Sequence, residues 1–231
     1  MMKRIFTGIF LLSIAVLVLG ACSKDSSEGN AEQNKEDLVA TVNGEGISKQ
    51  KYEKELEATK TSYEQQGMPA DQMDSKMKAE LEKSVLDQMV NAELLLQTAE
   101  KNGISVNQKE MDTELEKIKS NFENDKQFEE ALKKNKVTES ELKDQMEKQM
   151  LVTKYLDSKI GKVEVTDQEV QVLYDQYKQQ AESQKQKPEE LEKIKPKLEQ
   201  QVLSQKEQEK ISKLVEELRK DNEDNIKILE A

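Results

Sequence analysis

A chain of 231 residues has room for one or two domains, but 36% charged and only 4% aromatic residues leave little material for one large core. Net charge is −11, and residues 1–21 carry Lys3 and Arg4 but no acid, so the remainder holds 34 basic against 47 acidic residues, or −13. That excess repels phosphate backbones and anionic lipid, which argues against a nucleic-acid partner and against membrane residence through a basic surface.

The N-terminus, MMKRIFTGIFLLSIAVLVLGAC, has a short basic start, an apolar stretch from Ile5 to Leu19 and then small residues, the pattern of an export signal over 1–21. Leu19-Gly20-Ala21-Cys22 resembles a bacterial lipobox. A thiol can take up a diacylglyceryl group as a thioether, and small neighbours admit the peptidase. Cleavage is therefore expected between Ala21 and Cys22, with lipid (diacylglyceryl and palmitate) attached at Cys22. It is the single Cys of the chain, so no intrachain disulfide is expected. Two or more acyl chains hold a protein on a bilayer where one does not. Residues 22–37 then read as the lipidated Cys and a polar tether, which as a flexible coil spans about 20 Å. The body sits outside the membrane, where no ATP is available.

Leu38 to Val42 alternates as a short strand, Asn43-Gly44 is a turn signal, and Ser48 is placed to cap a helix. That helix should bury Tyr52, Leu56, Thr59 and Tyr63 and end near Gly67. Next comes the longest apolar run, Met77 to Lys101. Leu81, Val85, Met89, Ala92, Leu96 and Ala99 form one helical stripe, and Leu86, Val90 and Leu94 a second on roughly the opposite face. Two stripes imply neighbours on two sides, so this helix is the central strut. Asn102-Gly103 ends it.

One device then recurs three times, at Val106-Asn107…Glu110-Met111, Val137-Thr138…Glu141-Leu142 and Val165-Thr166…Glu169-Val170. Each is a capping box with a hydrophobic staple. They predict helices near 108–121, 139–160 and 167–184, with a short one near 126–135. Toward the C-terminus Pro196 is placed to open a long helix. Its apolar stripe breaks at Gln205 and Glu209, against a coiled coil. Asn225 to Leu229 alternates as a strand.

Catalytic chemistry finds little support. There is no His, so no Ser–His or Cys–His pair; no Gly-rich phosphate loop or calcium-hand loop occurs either. Carboxylate pairs such as Glu129-Glu130 and Glu189-Glu190 are what chance supplies in so charged a chain. No catalytic residue, metal ligand or cofactor is expected.

VATVNGEGIS, LDQMVNAELLLQTAEKNGISVNQKEMDTELEKI, VTESELKDQMEKQMLVTKYL and VEVTDQEVQVLYDQY resemble, in order and spacing, the N-terminal chaperone domain of SurA and of PrsA-type foldase lipoproteins. KLVEELRKDNEDNIKIL is similar to the last helix and strand of such chains. The resemblance implies a mainly α fold over 38–231, an elongated helical bundle or cradle. A small β element would pair an N-terminal strand (about 38–43) with a C-terminal strand (about 225–229). It further implies a holdase for unfolded or partly folded exported proteins. In that family a parvulin-type prolyl isomerase domain is inserted before the final helix. Here only Gln179 to Lys195 lies there, and no Gly follows Gly161, so isomerase activity is not expected.

The expected function is thus a lipid-anchored, ATP-independent chaperone on the outer face of the cytoplasmic membrane. Lys- and Gln-rich usage and the PrsA likeness favour a Gram-positive envelope. The alternative is a non-catalytic scaffold or accessory lipoprotein with one fixed partner; an unrecognised prolyl isomerase is a third reading. Methionine adapts to many partners. Met68, Met73 and Met77, in a weakly periodic segment, and Tyr174 and Tyr177 are the client-binding candidates. Met89, Met111, Met146 and Met150 read as core. A client burying ~400 Å² of apolar area gains about 10 kcal/mol against an association cost of about 4–15 kcal/mol, which gives weak binding and quick release.

Overall fold

The computed structural model describes residues 37–229 except Lys136. The expected export signal, its cleavage point at Ala21–Cys22 and nearly all of the tether lie outside the described residues. Two compact units divide the rest: 37–155 together with 218–229, and 156–217.

The larger unit starts with a three-stranded antiparallel sheet. Strand β1 (Leu38–Val42) and strand β2 (Glu45–Ser48) are joined by Asn43 and Gly44, whose φ values of 52° and 93° make the tight hairpin turn that matches strand twist. Strand β3 (Ile226–Ile228), from the far end of the chain, pairs with the other edge of β1. Backbone bonds from Asn43 N to the Asn225 carbonyl (3.0 Å) and from Leu229 N to the Val39 carbonyl (2.8 Å) extend that pairing. The terminal strand pair is therefore present as the sequence suggested. Strand β2 is an addition: in Glu-Gly-Ile-Ser only Ile47 is buried, too little alternation to announce a strand. Consecutive Val39 and Ala40 are both fully buried, which is why β1 is the central strand.

Ser48 caps helix α1 (Lys49–Gln65) by accepting from Lys51 N, and Tyr52 and Leu56 are its buried residues, with Thr59 and Tyr63 half-buried. Helix α2 (Ser75–Lys101) begins at an Asp74 cap two residues ahead of the expected start. Its buried residues are Leu81 and Val85, then Val90 and Leu94, then Leu95 and Ala99. At 100° per residue the first pair lies roughly opposite the second, so the helix is covered on different sides at different heights. Ala92, part of the expected first stripe, is exposed. Leu81, Val85, Val90 and Leu94 share one core with Val39, Val42, Tyr52 and Leu56. Gln97 locks the hairpin to the helix, donating to the Val42 carbonyl (3.0 Å) and accepting from the Asn43 amide (2.9 Å).

Helices α3 (Gln108–Lys119), α4 (Asp125–Lys134) and α5 (Glu139–Ile160) follow. Met111, Leu115, Phe128 and Met146 form their buried cluster, with Phe122 and Phe128 edge to face at 5.6 Å. Met89 and Met150 are half-buried. The reciprocal cap bonds are made at Asn107/Glu110, Thr138/Glu141 and Thr166/Glu169.

The final helix, α7 (Leu191–Asp221), has its last turn in this unit. There Arg219 donates to Asn91 Oδ1 (2.7 Å) and Asp87 Oδ1 (3.0 Å) on α2. Burial pushes the Asp87 carboxyl up, and Lys83 and Arg219 more than reverse this, holding it below the ordinary carboxylate value.

In the smaller unit, helix α6 (Asp167–Ser183) packs Val170 against Leu198 and Val202 of α7. Pro196 does not open α7; it sits five residues inside. The turn ahead of it stays helical because Leu191 and Ile194 pack on that same cluster, and packing outweighs the missing N–H.

Lys206 ties α7 to the start of α6, donating to Glu169 Oε1 (2.6 Å) and to the Glu164 carbonyl (2.7 Å). The bond from Lys206, followed by those from the Thr166 N–H and hydroxyl, holds the Glu169 carboxyl at about 2, below its ordinary 4.5. A depressed folded-state value means stability that is complete above the ordinary value and is lost as pH falls toward 2. Glu169→Gln is expected to make the loss of helix stability between about pH 5 and about pH 2 shallower in melts followed by circular dichroism. An unchanged acid limb would remove Glu169 from that role.

Candidate functional site

The connection between α1 and α2 separates the three methionine candidates. Gly67, with φ 84°, ends α1, and Met68 N bonds the Tyr63 carbonyl (2.9 Å). A short 3₁₀ turn, Ala70–Gln72, then precedes the Asp74 cap. Met68 (45% exposed) and Met77 (40%) lie on the outside. Met73 does not join them. It is 6% exposed and belongs to the core with Leu81 and Val85, because the 3₁₀ turn and the cap fold the segment back onto α2. The weak periodicity that suggested exposure is the trace of that turn.

Tyr174 and Tyr177 are brought together, with ring centroids 6.1 Å apart, and both are half-buried. Tyr174 Oη donates to the Glu189 carbonyl (2.9 Å), and Tyr177 Oη accepts from Glu189 N (3.1 Å). Their polar ends are thus spent on one residue of the linker between α6 and α7. Between Ser183 and Leu191 there are only residues 184–190.

Two exposed apolar residues escaped the sequence reading, Val172 and Ile228, each 54% exposed. Val172 was recoverable: with Val170 and Leu173 turned inward, the residue two beyond Val170 must face away on a helix. Ile228 lies on an edge strand, which pattern alone does not distinguish from a central one.

Two open grooves line the units. One, of about 560 Å³ in 156–217, lies between residues 162–165 and the Pro196, Glu199, Gln200 and Leu203 face of α7. The other, of about 350 Å³, is a polar channel along α2 from Glu80 to Asn91. The Lys54 amine is buried without a hydrogen-bond partner among the described residues; burial lowers its pKa while Glu141 and Glu55 pull it back. Among the described residues no group of three or more acidic, His or Cys side chains is arranged to hold a metal ion, and no helix is long and apolar enough to cross a membrane. What the surface offers is adaptable apolar contact at Met68 and Met77 and an open groove.

Residues 1–156 match the family model described as SurA-like N-terminal domain. A protein named Foldase protein PrsA from Caldanaerobacter subterraneus subsp. tengcongensis is 29% identical over 188 residues, covering 79% of this chain and 54% of that protein. Its namesake from Clostridium botulinum (strain Okra / Type B1) is 27% identical over 179 residues, 73% of this chain and 52% of that one. The chain spans about half the length of the curated relatives it matches.

Proposed function

Since the chain belongs to the SurA-like N-terminal domain family, we propose that it is a lipid-anchored chaperone that holds unfolded exported proteins without ATP and without prolyl isomerase activity. The coarser part, a chaperone or foldase role, is supported by the family and by relatives named foldases. The observation that carries the holding mechanism is the pair Met68 and Met77, two flexible apolar side chains left in solvent beside a packed core. A thioether side chain with three rotatable bonds adapts to unlike partners.

The seven-residue linker Gln184–Glu190, fastened by two tyrosine hydroxyls, supports the absence of an isomerase domain at the place where the family resemblance puts one. Parvulin-type sites, as the family resemblance implies, use histidines, and this chain has none. Anchoring at Cys22 is supported by the lipobox-like Leu19-Gly20-Ala21-Cys22. It places the molecule on the outer face of the cytoplasmic membrane, and the Clostridium and Caldanaerobacter relatives favour a Gram-positive envelope.

The holding surface is tested by a photo-crosslinking residue placed in turn at Met68, Met77 and the buried Met73. Unfolded client should be captured from the first two positions and not from the third. Equal capture at all three, or at none, overturns the assignment.

A further inference from the structure

Helix α5 ends at Gly161, whose φ is 63°, and α6 begins at Asp167. Across the residues between, exposure alternates: Lys162 exposed, Val163 half-buried, Glu164 exposed, Val165 half-buried, Thr166 exposed. A period of two is the mark of an extended chain, and Thr166 has extended dihedrals (φ −100°, ψ 151°). Among the described residues, the backbone N–H groups of residues 162–165 have no partner; the Glu164 carbonyl is held by Lys206. The segment thus has the alternation of an extended chain and no paired neighbour, and it forms one wall of the groove of about 560 Å³. The opposite wall is one face of α7, carrying Pro196, Glu199, Gln200 and Leu203 at helical spacing.

We infer that this groove binds an extended polypeptide that adds to residues 162–165 as a strand, with apolar side chains at alternate positions. Unpaired backbone donors select a partner with backbone acceptors in register, and the valines and Leu203 supply apolar contact without fixing its sequence. Charge selects the flanks. Lys162 and Glu164 neutralise each other at 3.2 Å. Glu199 is met by Lys195 only at 3.9 Å, because Lys195 is committed to Asp167 at 2.7 Å. With one acid in surplus and a chain charge of −11, the complementary occupant is a segment flanked by Lys or Arg. The inference rests on the chaperone reading and names a second holding surface beyond Met68 and Met77.

The test uses a short fluorescent peptide of alternating valine and threonine with lysine at each end, titrated against the chain by anisotropy. Val163→Pro removes one backbone donor in a non-helical segment and is expected to weaken binding about tenfold. Glu199→Lys, at an exposed helical position that does not threaten folding, should weaken the lysine-ended peptide and strengthen its glutamate-ended counterpart. Unchanged affinity in both variants, in a chain that binds the peptide and suppresses aggregation, overturns the groove and leaves the chaperone reading standing. If the unaltered chain neither binds the peptide nor suppresses aggregation, the chaperone reading falls and takes the groove with it.

Discussion

Leu94→Ala is expected to be among the most damaging single truncations in the larger unit. Leu94 is 1% exposed and packs in the core that joins α2 to β1 and α1. Shortening a fully buried Leu removes its transfer energy and leaves a cavity, together costing about 2–5 kcal/mol. In a chain of this length that lowers the unfolding midpoint by roughly 2–4 °C per kcal/mol. Ala92→Ser, two residues away on an exposed position of the same helix, should shift it by no more than about 2 °C. Thermal melts of both variants check the two-sided burial of α2. Comparable losses from both, or from neither, would show that the helix is covered differently.

The second large effect concerns location. Cys22→Ala is expected to abolish lipid labelling, because the thioether has no other sulfur nucleophile to form on. It should also leave residues 1–21 attached, since the processing expected before Cys22 depends on the modified Cys. The apolar stretch Ile5–Leu19 is fifteen residues, short of the ~20 that span a bilayer, so the uncut protein is held less firmly. Labelling with radioactive palmitate and electrophoretic mobility read both consequences. Label retained by the variant, or no label and no processing in the unaltered chain, would contradict the anchor.

Signals within a few residues of each other were legible in the sequence. The Ser48 cap, the three capping boxes, the Asn43-Gly44 turn and the glycines at 67 and 103 all act locally, and each stands where its residues placed it. The return of β3 to β1 was legible only through the family resemblance, since the pairing joins opposite ends of the chain. Long-range polar contacts left no trace. Arg219, the one Arg beyond residue 4, reaches Asp87 and Asn91 across more than a hundred residues, and nothing in so acidic a chain says which carboxylate it will meet. Packing also overrode local rules, as Pro196 shows: its preference for a helix start lost to the burial of Leu191 and Ile194.

The candidate site was legible in part for the same reason. Composition marked methionines in a weakly periodic stretch, and two of the three are exposed. The third turned inward through a 3₁₀ turn that no short motif announced. Tyr174 and Tyr177 were singled out as a pair, and their engagement with Glu189 depends on how the linker folds back, which spacing does not encode. Residues 162–165 were read only as the approach to a cap, although the alternation of Val163 and Val165 was visible throughout.

Suppression of aggregation, measured by light scattering without ATP on several unrelated chemically unfolded proteins, tests the central claim most directly. Aggregation of most of them should slow, at chain concentrations comparable to the client and with release on dilution. Protection of a single protein and indifference to the rest would contradict it and identify a scaffold for one partner.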